Sequence, residues 1–278
     1  MIAGPAIEPD KIPGLKRFVF PPPGARATTG TAIMIHGQGD HAERYEEILT
    51  PFRERGITCF ATDLPGHGYS AGRRGEIPGL AAVDAIVASE FERARDLSPD
   101  GPVGLLGHSV GGLLALRELI RHPDHYSFAW ISSPLIWPER TRHPIYVGLL
   151  RLLGKIAPGL SLSTGVTAAM CRNLSEDQAP EHIDASLFHR RISLGWACDL
   201  IEVAQQVRRD LPTGLPSLPI LVTQGSADPI CPAPLLRSLL EEADHSGLRR
   251  VEFEGLLHEP FADPRAEEVF TVIGSWLD

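Results

Sequence analysis

No run of about eighteen apolar residues occurs anywhere in this 278-residue chain, so no segment is expected to cross a membrane as a helix. Cysteine is scarce. Cys59, Cys171, Cys198 and Cys231 are the whole complement, and none shows the close paired spacing of a zinc site or a redox motif. The expectation is four free thiols in a reducing cytoplasm. The first residues, MIAGPAIEPDKIPG, lack a basic region followed by an apolar run and do not read as a signal peptide. Basic residues are in deficit, 26 against 35 acidic, for a formal net charge of -9. Such a surface repels nucleic acid and strongly anionic membranes, but it admits small neutral or zwitterionic substrates.

What is present is the balance of a globular protein, 43% apolar and 22% charged. The length fits one α/β domain of ordinary size, or one domain carrying an insertion. Short apolar runs alternate with helical patterns. Ala32–His36, Thr58–Asp63, Val103–Gly107, Phe128–Ser132, Ile220–Gln224 and Arg250–Glu254 read as strands, and Phe18–Phe20 as an antiparallel edge strand. Tyr45–Arg55, Leu80–Leu97, Gly111–Arg121, Pro234–Ala243 and Arg265–Leu277 read as helices. This alternation predicts an α/β fold with a mostly parallel central sheet flanked by helices on both faces. The regularity stops between Pro134 and about Pro216, where helical patterns occur without a convincing strand. The expected division is a core of residues 1–133 and 217–278, with an inserted helical cap or lid over 134–216.

Gly107-His108-Ser109-Val110-Gly111 matches the G-x-S-x-G nucleophile elbow. The pattern alone is weak; an ordinary serine cap after a glycine turn would also satisfy it. Its context is specific, because the strand VGLLG ends at the motif and the helix GGLLALRELIR begins inside it. Such a turn projects the serine hydroxyl above the carboxyl edge of the sheet, where open α/β sheets bind ligands. Ser109 is therefore the expected nucleophile. The N–H of Val110, at a helix start, is one expected oxyanion donor. Gln38, in His36-Gly37-Gln38-Gly39 directly after AIMIH, is the expected second, although an ordinary glycine turn would give the same residues.

A hydroxyl needs a base to become a nucleophile. In this arrangement the order along the chain is serine, acid, histidine. His182, His189, His245 and His258 follow a plausible acid. His258 lies in the short loop after RVEFE, at the edge where the serine emerges. Asp228 follows ILVTQ through Gly225-Ser226-Ala227 and is the expected orienter of the imidazole; Asp263 is the rival, but it lies beyond the histidine. His36, His41, His67, His108, His122 and His125 read as loop, turn and helix-end residues without metal-ligand spacing. Neither a metal nor a cofactor is expected.

These stretches resemble the monoacylglycerol lipase and lysophospholipase branch of the α/β-hydrolases. The resemblance rests on His36-Gly37-Gln38-Gly39-Asp40-His41 with Arg44-Tyr45, and on Asp63-Leu64-Pro65-Gly66-His67-Gly68-Tyr69-Ser70. It continues through the serine motif, Gln224-Gly225-Ser226-Ala227-Asp228, and Glu254-Gly255-Leu256-Leu257-His258-Glu259. It implies the α/β-hydrolase fold with a helical cap, the triad Ser109, Asp228 and His258, and backbone oxyanion donors at Gln38 and Val110. The family's usual methionine after the serine is Val110 here, which leaves a backbone donor intact. The cysteine that often follows the family's acid by three residues is Cys231.

The implied activity is hydrolysis of a small carboxylic ester, with a monoacylglycerol or similar single-chain acyl ester as substrate. A lysophospholipase, a general carboxylesterase or a thioesterase would use the same triad. A ligand receptor on this fold is the rival from another class. A dehalogenase or epoxide hydrolase would need a carboxylate at position 109. In the cap, IYVGLLRLLGKI (Ile145–Ile156) places Ile145, Leu149, Leu152, Leu153 and Ile156 on one broad apolar face. That face either packs onto the sheet domain or serves the substrate. In the second case Leu149, Leu152 and Leu153 line an acyl tunnel or touch a lipid surface transiently, with Arg151 and Lys155 near headgroups.

Overall fold

The computed structural model describes residues 14–24, 26–139, 143–173, 187–243 and 245–278. His182 lies outside them. Nine strands and eight α-helices are present among the described residues. The strands are β1 Arg17–Phe20, β2 Gly30–Ile35, β3 Ile57–Thr62, β4 Val103–His108, β5 Phe128–Ser132, β6 Ser161–Ser163, β7 Arg191–Ser193, β8 Ile220–Gly225 and β9 Leu248–Phe253. The helices are α1 Thr50–Arg53, α2 Leu80–Leu97, α3 Val110–Arg121, α4 Pro144–Ile156, α5 Ala168–Cys171, α6 Leu194–Gly214, α7 Ala233–Glu241 and α8 Ala266–Leu277.

Seven strands form one sheet in the order β1-β3-β2-β4-β5-β8-β9. Only β1 runs antiparallel to its neighbour. Every residue of β2, β3, β4 and β8 is buried, which is why these strands read as unbroken apolar runs rather than alternating ones. The pleat still sorts their side chains. Ile33, Ile35 and Leu105 face one core with α2, α3, α6 and α7. Ala32, Met34 and Leu106 face the other, with Phe52 of α1 and Val269 and Ile273 of α8. The mostly parallel sheet, its edge strand and its flanking helices are as expected.

Two expectations need correction. The helix foreseen over Tyr45–Arg55 is a 3₁₀ turn at Ala42–Tyr45, a run of single turns, and the short α1. Tyr45, Ile48, Leu49 and Phe52 are all buried, so the apolar spacing is real. Pro51, however, has no N–H to continue a ladder from the preceding turns, and so sits in the first turn of a new helix. The second correction concerns the inserted stretch, which was expected to hold no strand. Residues Ser161–Ser163 and Arg191–Ser193 pair antiparallel there. At three residues each, with partners some thirty positions apart, they are too short to show a period.

The inserted stretch is more than a lid. Its longest helix, α6, contributes Trp196, Leu200, Val203, Ala204, Val207 and Leu211 to the same core as α3 and the sheet. The helix α4 then packs on α6. No helix among the described residues is long and apolar enough to cross a membrane.

Candidate active site

The site begins with a strained turn. Ser109 joins β4 to α3 with φ 55 and ψ -116, a region that side-chain-bearing residues rarely adopt. Neighbouring hydrogen bonds hold it there. Its N–H donates to the Ser132 carbonyl at 2.9 Å, and its own carbonyl accepts from Leu113 and Leu135 at 3.0 Å each. The flanking glycines are required sterically. A Cβ on Gly107 would lie 2.4 Å from the Gly111 carbonyl oxygen, and one on Gly111 would lie 2.0 Å from the Ile35 carbonyl oxygen. The turn can be this tight only because both positions lack a side chain.

Parallel strands deliver the other two groups to the same edge. Asp228 follows β8 and His258 follows β9. The Nε2 of His258 lies 2.9 Å from the Ser109 Oγ, and its Nδ1 lies 2.8 Å from Asp228 Oδ2. The other carboxylate oxygen, Oδ1, accepts the N–H groups of Ile230 and Cys231 at 2.8 and 2.9 Å. Asp228 is thereby fixed as an acceptor on both sides, which places the Nδ1 proton of His258 toward it and leaves Nε2 free to take a proton from Ser109. All three residues are buried. Asp263, the rival acid, instead accepts from the side chain of Asn173 at 2.9 Å and from the N–H of Arg265 at 3.0 Å. Cys231 stands where expected: a ligand atom of Asp228, Cys231 and His258 each lie within 4.8 Å of one another.

The loop after β2 lies against the nucleophile. A Cβ built on Gly37 would sit 3.4 Å from that of Ser109. Gln38 is held by its side chain, which donates to the Arg191 carbonyl at 2.9 Å and accepts from the Trp196 indole at 3.0 Å. Residues of β7 and α6 therefore anchor the loop. The N–H of Val110 opens α3, where the first turn has no acceptor of its own.

Several residues that the sequence left as ordinary loop positions support this arrangement. His36 accepts the N–H of Leu64 at Nε2, 2.9 Å away, so its Nδ1 carries the proton and donates to the Gly37 carbonyl at 2.8 Å. His108 packs beside His258, with ring centroids 4.9 Å apart. Burial, and then the neighbouring His258, push the His108 pKa well below the ordinary imidazole value. Arg44 is the centre of a buried charge network. It pairs with Asp40 at 2.9 Å and, through both of its terminal nitrogens, with Glu259. Tyr45 donates to Asp40 at 2.8 Å and accepts the N–H of Gly37 at 3.3 Å. Burial alone would push the Glu259 carboxyl up, but the charge and hydrogen bonds of Arg44 outweigh it and bring it down to about 2. One network thus joins the loop after β2 to the residue after His258. The only trace of it in the sequence is a set of charged residues set close to glycine-rich loop motifs.

The leucines of α4 do not join this cluster. Leu149, Leu152 and Leu153 are 49%, 56% and 37% exposed. The helix turns Val147 inward instead, and a Cβ on Gly154 would lie 2.7 Å from the Cys198 sulfur of α6. Arg151 is directed toward α6, where it donates to Gln205 at 2.9 Å.

The serine aminopeptidase S33 family model matches residues 26–265. The chain belongs to this family. Its described fold superposes on the monoacylglycerol lipase of Paleococcus ferrophilus with a TM-score of 0.81 and 30% identity, covering 95% of this chain and 98% of that one. The monoacylglycerol lipase of Mycolicibacterium smegmatis is 28% identical over 248 residues, 89% of this chain and 88% of the relative. Phospholipase YtpA of Bacillus subtilis is 29% identical over 250 residues, 88% and 94% of the two chains. Although the family is described by an aminopeptidase, these relatives act on esters. The chain is a monoglyceride lipase-like α/β-hydrolase and a carboxylic ester hydrolase.

Proposed function

We propose that this hydrolase cleaves monoacylglycerols or similar single-chain acyl esters through an acyl-enzyme on Ser109. The observation that carries the reading is the continuous chain from Ser109 Oγ through both nitrogens of His258 to Asp228. In the first step His258 Nε2 takes the Ser109 proton while Oγ bonds to the ester carbonyl carbon. The oxyanion is met by the N–H groups of Gln38 and Val110. Collapse breaks the bond to the alcohol oxygen, which leaves with the proton from His258. Water then loses a proton to His258 and attacks the acyl carbon; collapse breaks the bond from that carbon to Oγ, His258 returns its proton to Oγ, and the fatty acid and free Ser109 are released. Asp228 keeps the imidazole in the required tautomer and stabilises its charged form. No cofactor takes part in this scheme.

The same reading divides the chain into a core of 1–133 and 217–278 and an insertion of 134–216, whose helix α6 completes the core and whose other described elements form the cap. It assigns the exposed face of α4 to a lipid surface rather than to a closed acyl tunnel. Ile145 and Ile156 are 74% and 73% exposed and lie on the same helix as the exposed leucines. An interfacial helix buries such a face among acyl chains. Lys155 then stands nearer to headgroups than Arg151, which α6 holds. Four free cysteines accord with a cytoplasmic setting.

The test is a panel of glyceryl, lysophospholipid and short nitrophenyl esters. Glyceryl esters of medium or longer chains should give the highest kcat/KM, and Ser109→Ala should abolish turnover on all of them. A flat profile across chain length would leave a general esterase. Preference for lysophospholipids would favour the reading suggested by the Bacillus relative.

A further inference from the structure

The far end of α3 gathers three metal-type ligands that the ester chemistry does not use. Glu118, His122 and His125 each present a ligand atom, and all three atoms lie within 4.8 Å of one another. The spacing of four and then three residues puts Glu118 and His122 on one helix face. His125 would otherwise continue away from it. A turn folds it back, because the His125 N–H donates to the His122 carbonyl at 3.2 Å. The two imidazole rings end 4.7 Å apart.

The carboxylate is the telling member. Glu118 is only 7% exposed, and an ionised buried carboxylate is costly without a cationic partner. Tyr126 donates to its Oε1 at 3.2 Å, which leaves Oε2. Among the described residues, no arginine or lysine forms an ion pair with Glu118; the nearest cation-forming group is the His122 Nε2, 3.9 Å from Oε2. Arg117 and Arg121, its helix neighbours, are both engaged by Asp84. The C-terminal end of α3 adds the negative end of a helix dipole, which favours a cation.

We propose that Glu118, His122 and His125 bind a divalent transition-metal ion, with zinc the best match to two imidazoles and a carboxylate. Zinc bonds of about 2.0–2.2 Å place tetrahedral ligand atoms roughly 3.4 Å apart. Closing from the present separation requires the His122 ring to turn out of its stack on His125, and its partial exposure leaves room for that turn. Exposure also leaves room for water as the fourth ligand. The site lies at the opposite end of α3 from Ser109. Twelve residues of helix separate the two by about 18 Å. The ion therefore acts on the fold of the α3–α2 side, where His125 stacks on Phe91 at 4.5 Å, and leaves ester hydrolysis unchanged.

The experiment uses the untagged full chain. Zinc is titrated calorimetrically, cobalt is followed by its visible absorption, and melting is recorded with and without zinc. The expected result is one ion per chain. Binding should weaken as pH is lowered, since the imidazoles must be unprotonated, and Tm should rise with zinc concentration by mass action. His122→Ala and His125→Ala are surface changes that keep the fold. Each should weaken binding about tenfold or more, since loss of even an outer partner of a metal ligand costs about 10–100-fold. Turnover should match the wild type in both. No binding at roughly 100 µM free zinc, or binding in both variants as tight as in the wild type, would overturn the site. Binding that instead abolishes ester hydrolysis and survives in both variants would place the ion at Asp228, Cys231 and His258, and would overturn it equally.

Discussion

Gly111 lies so close to Ile35 that a Cβ on the glycine would stand 2.0 Å from the Ile35 carbonyl oxygen. The clash is with backbone of a central strand, which cannot swing aside. Gly111→Ala should therefore displace the start of α3 or the end of β2, and with either the geometry around Ser109. Overpacking of this kind costs about 1–3 kcal/mol, and activity should fall further than stability. Denaturant unfolding and turnover of a short ester, measured on the same preparation, test this. Wild-type values of both would show that the elbow has slack the structure does not reveal.

Ser109 holds a backbone conformation suited to glycine. Ser109→Gly should be inactive yet more stable than the wild type, because strain of about 1–3 kcal/mol is relieved. Ser109→Ala keeps the strain and should gain little. A fluorophosphonate probe should label the wild type once and neither variant. A less stable Ser109→Gly protein would mean that the bond to His258 outweighs the strain.

Asp228→Asn should lower kcat on the order of 10⁴-fold while KM changes little, as the imidazole loses its tautomer control. Asp263→Asn should leave kcat near the wild-type value, since Asp263 bonds to Asn173 and Arg265 rather than to His258. The opposite ranking would move the acid to Asp263.

Arg44 neutralises Asp40 and Glu259 in a buried setting. Arg44→Met removes the cation that both carboxylates share, leaving Glu259 the longer pair with Arg172 at 3.5 Å and Asp40 the Tyr45 hydroxyl, and should destabilise the protein by about 3 kcal/mol. Adding Glu259→Gln should restore part of that loss, because one incompletely compensated buried charge is removed. Additive effects in the double variant would show that the two residues do not share a network.

Stability should fall as the solution is acidified below about 6.5. His108 and His67 are buried, and burial holds both well below the ordinary imidazole value in the folded chain. Between that depressed value and the ordinary one, the unfolded chain binds more protons, so stability rises with pH. The slope approaches about 1.4 kcal/mol per pH unit for each such group. Glu259, brought to about 2 by Arg44, acts in a lower window, where its contribution is lost between the ordinary carboxyl value and about 2. His67→Gln should flatten the upper window, read as Tm against pH. An unchanged slope would assign the acid sensitivity elsewhere.

The linear order of Ser109, Asp228 and His258 was legible because the first two follow apolar runs that read as buried strands and the third follows the alternating strand RVEFE. In a parallel sheet all carboxyl ends share one edge, so chain order alone predicts that the three meet. The sheet itself was legible for the same reason: runs such as AIMIH and VGLLG have no polar face to offer water. What the sequence could not decide was direction. The helix α4 carries one broad apolar face, and periodicity does not say whether that face has a partner. The fold buried Val147, set Gly154 against Cys198 of α6 and left Leu149 and Leu152 outside. Nor could it show pairings between distant polar residues. Arg44 and Glu259 are 215 positions apart, and Ser161–Ser163 with Arg191–Ser193 carry no period that announces a strand. Such contacts become favourable only after the apolar core has brought the segments together and removed water from between them. Local pattern therefore determined the sheet and its catalytic edge, and tertiary packing decided which charges meet and which apolar face is left exposed.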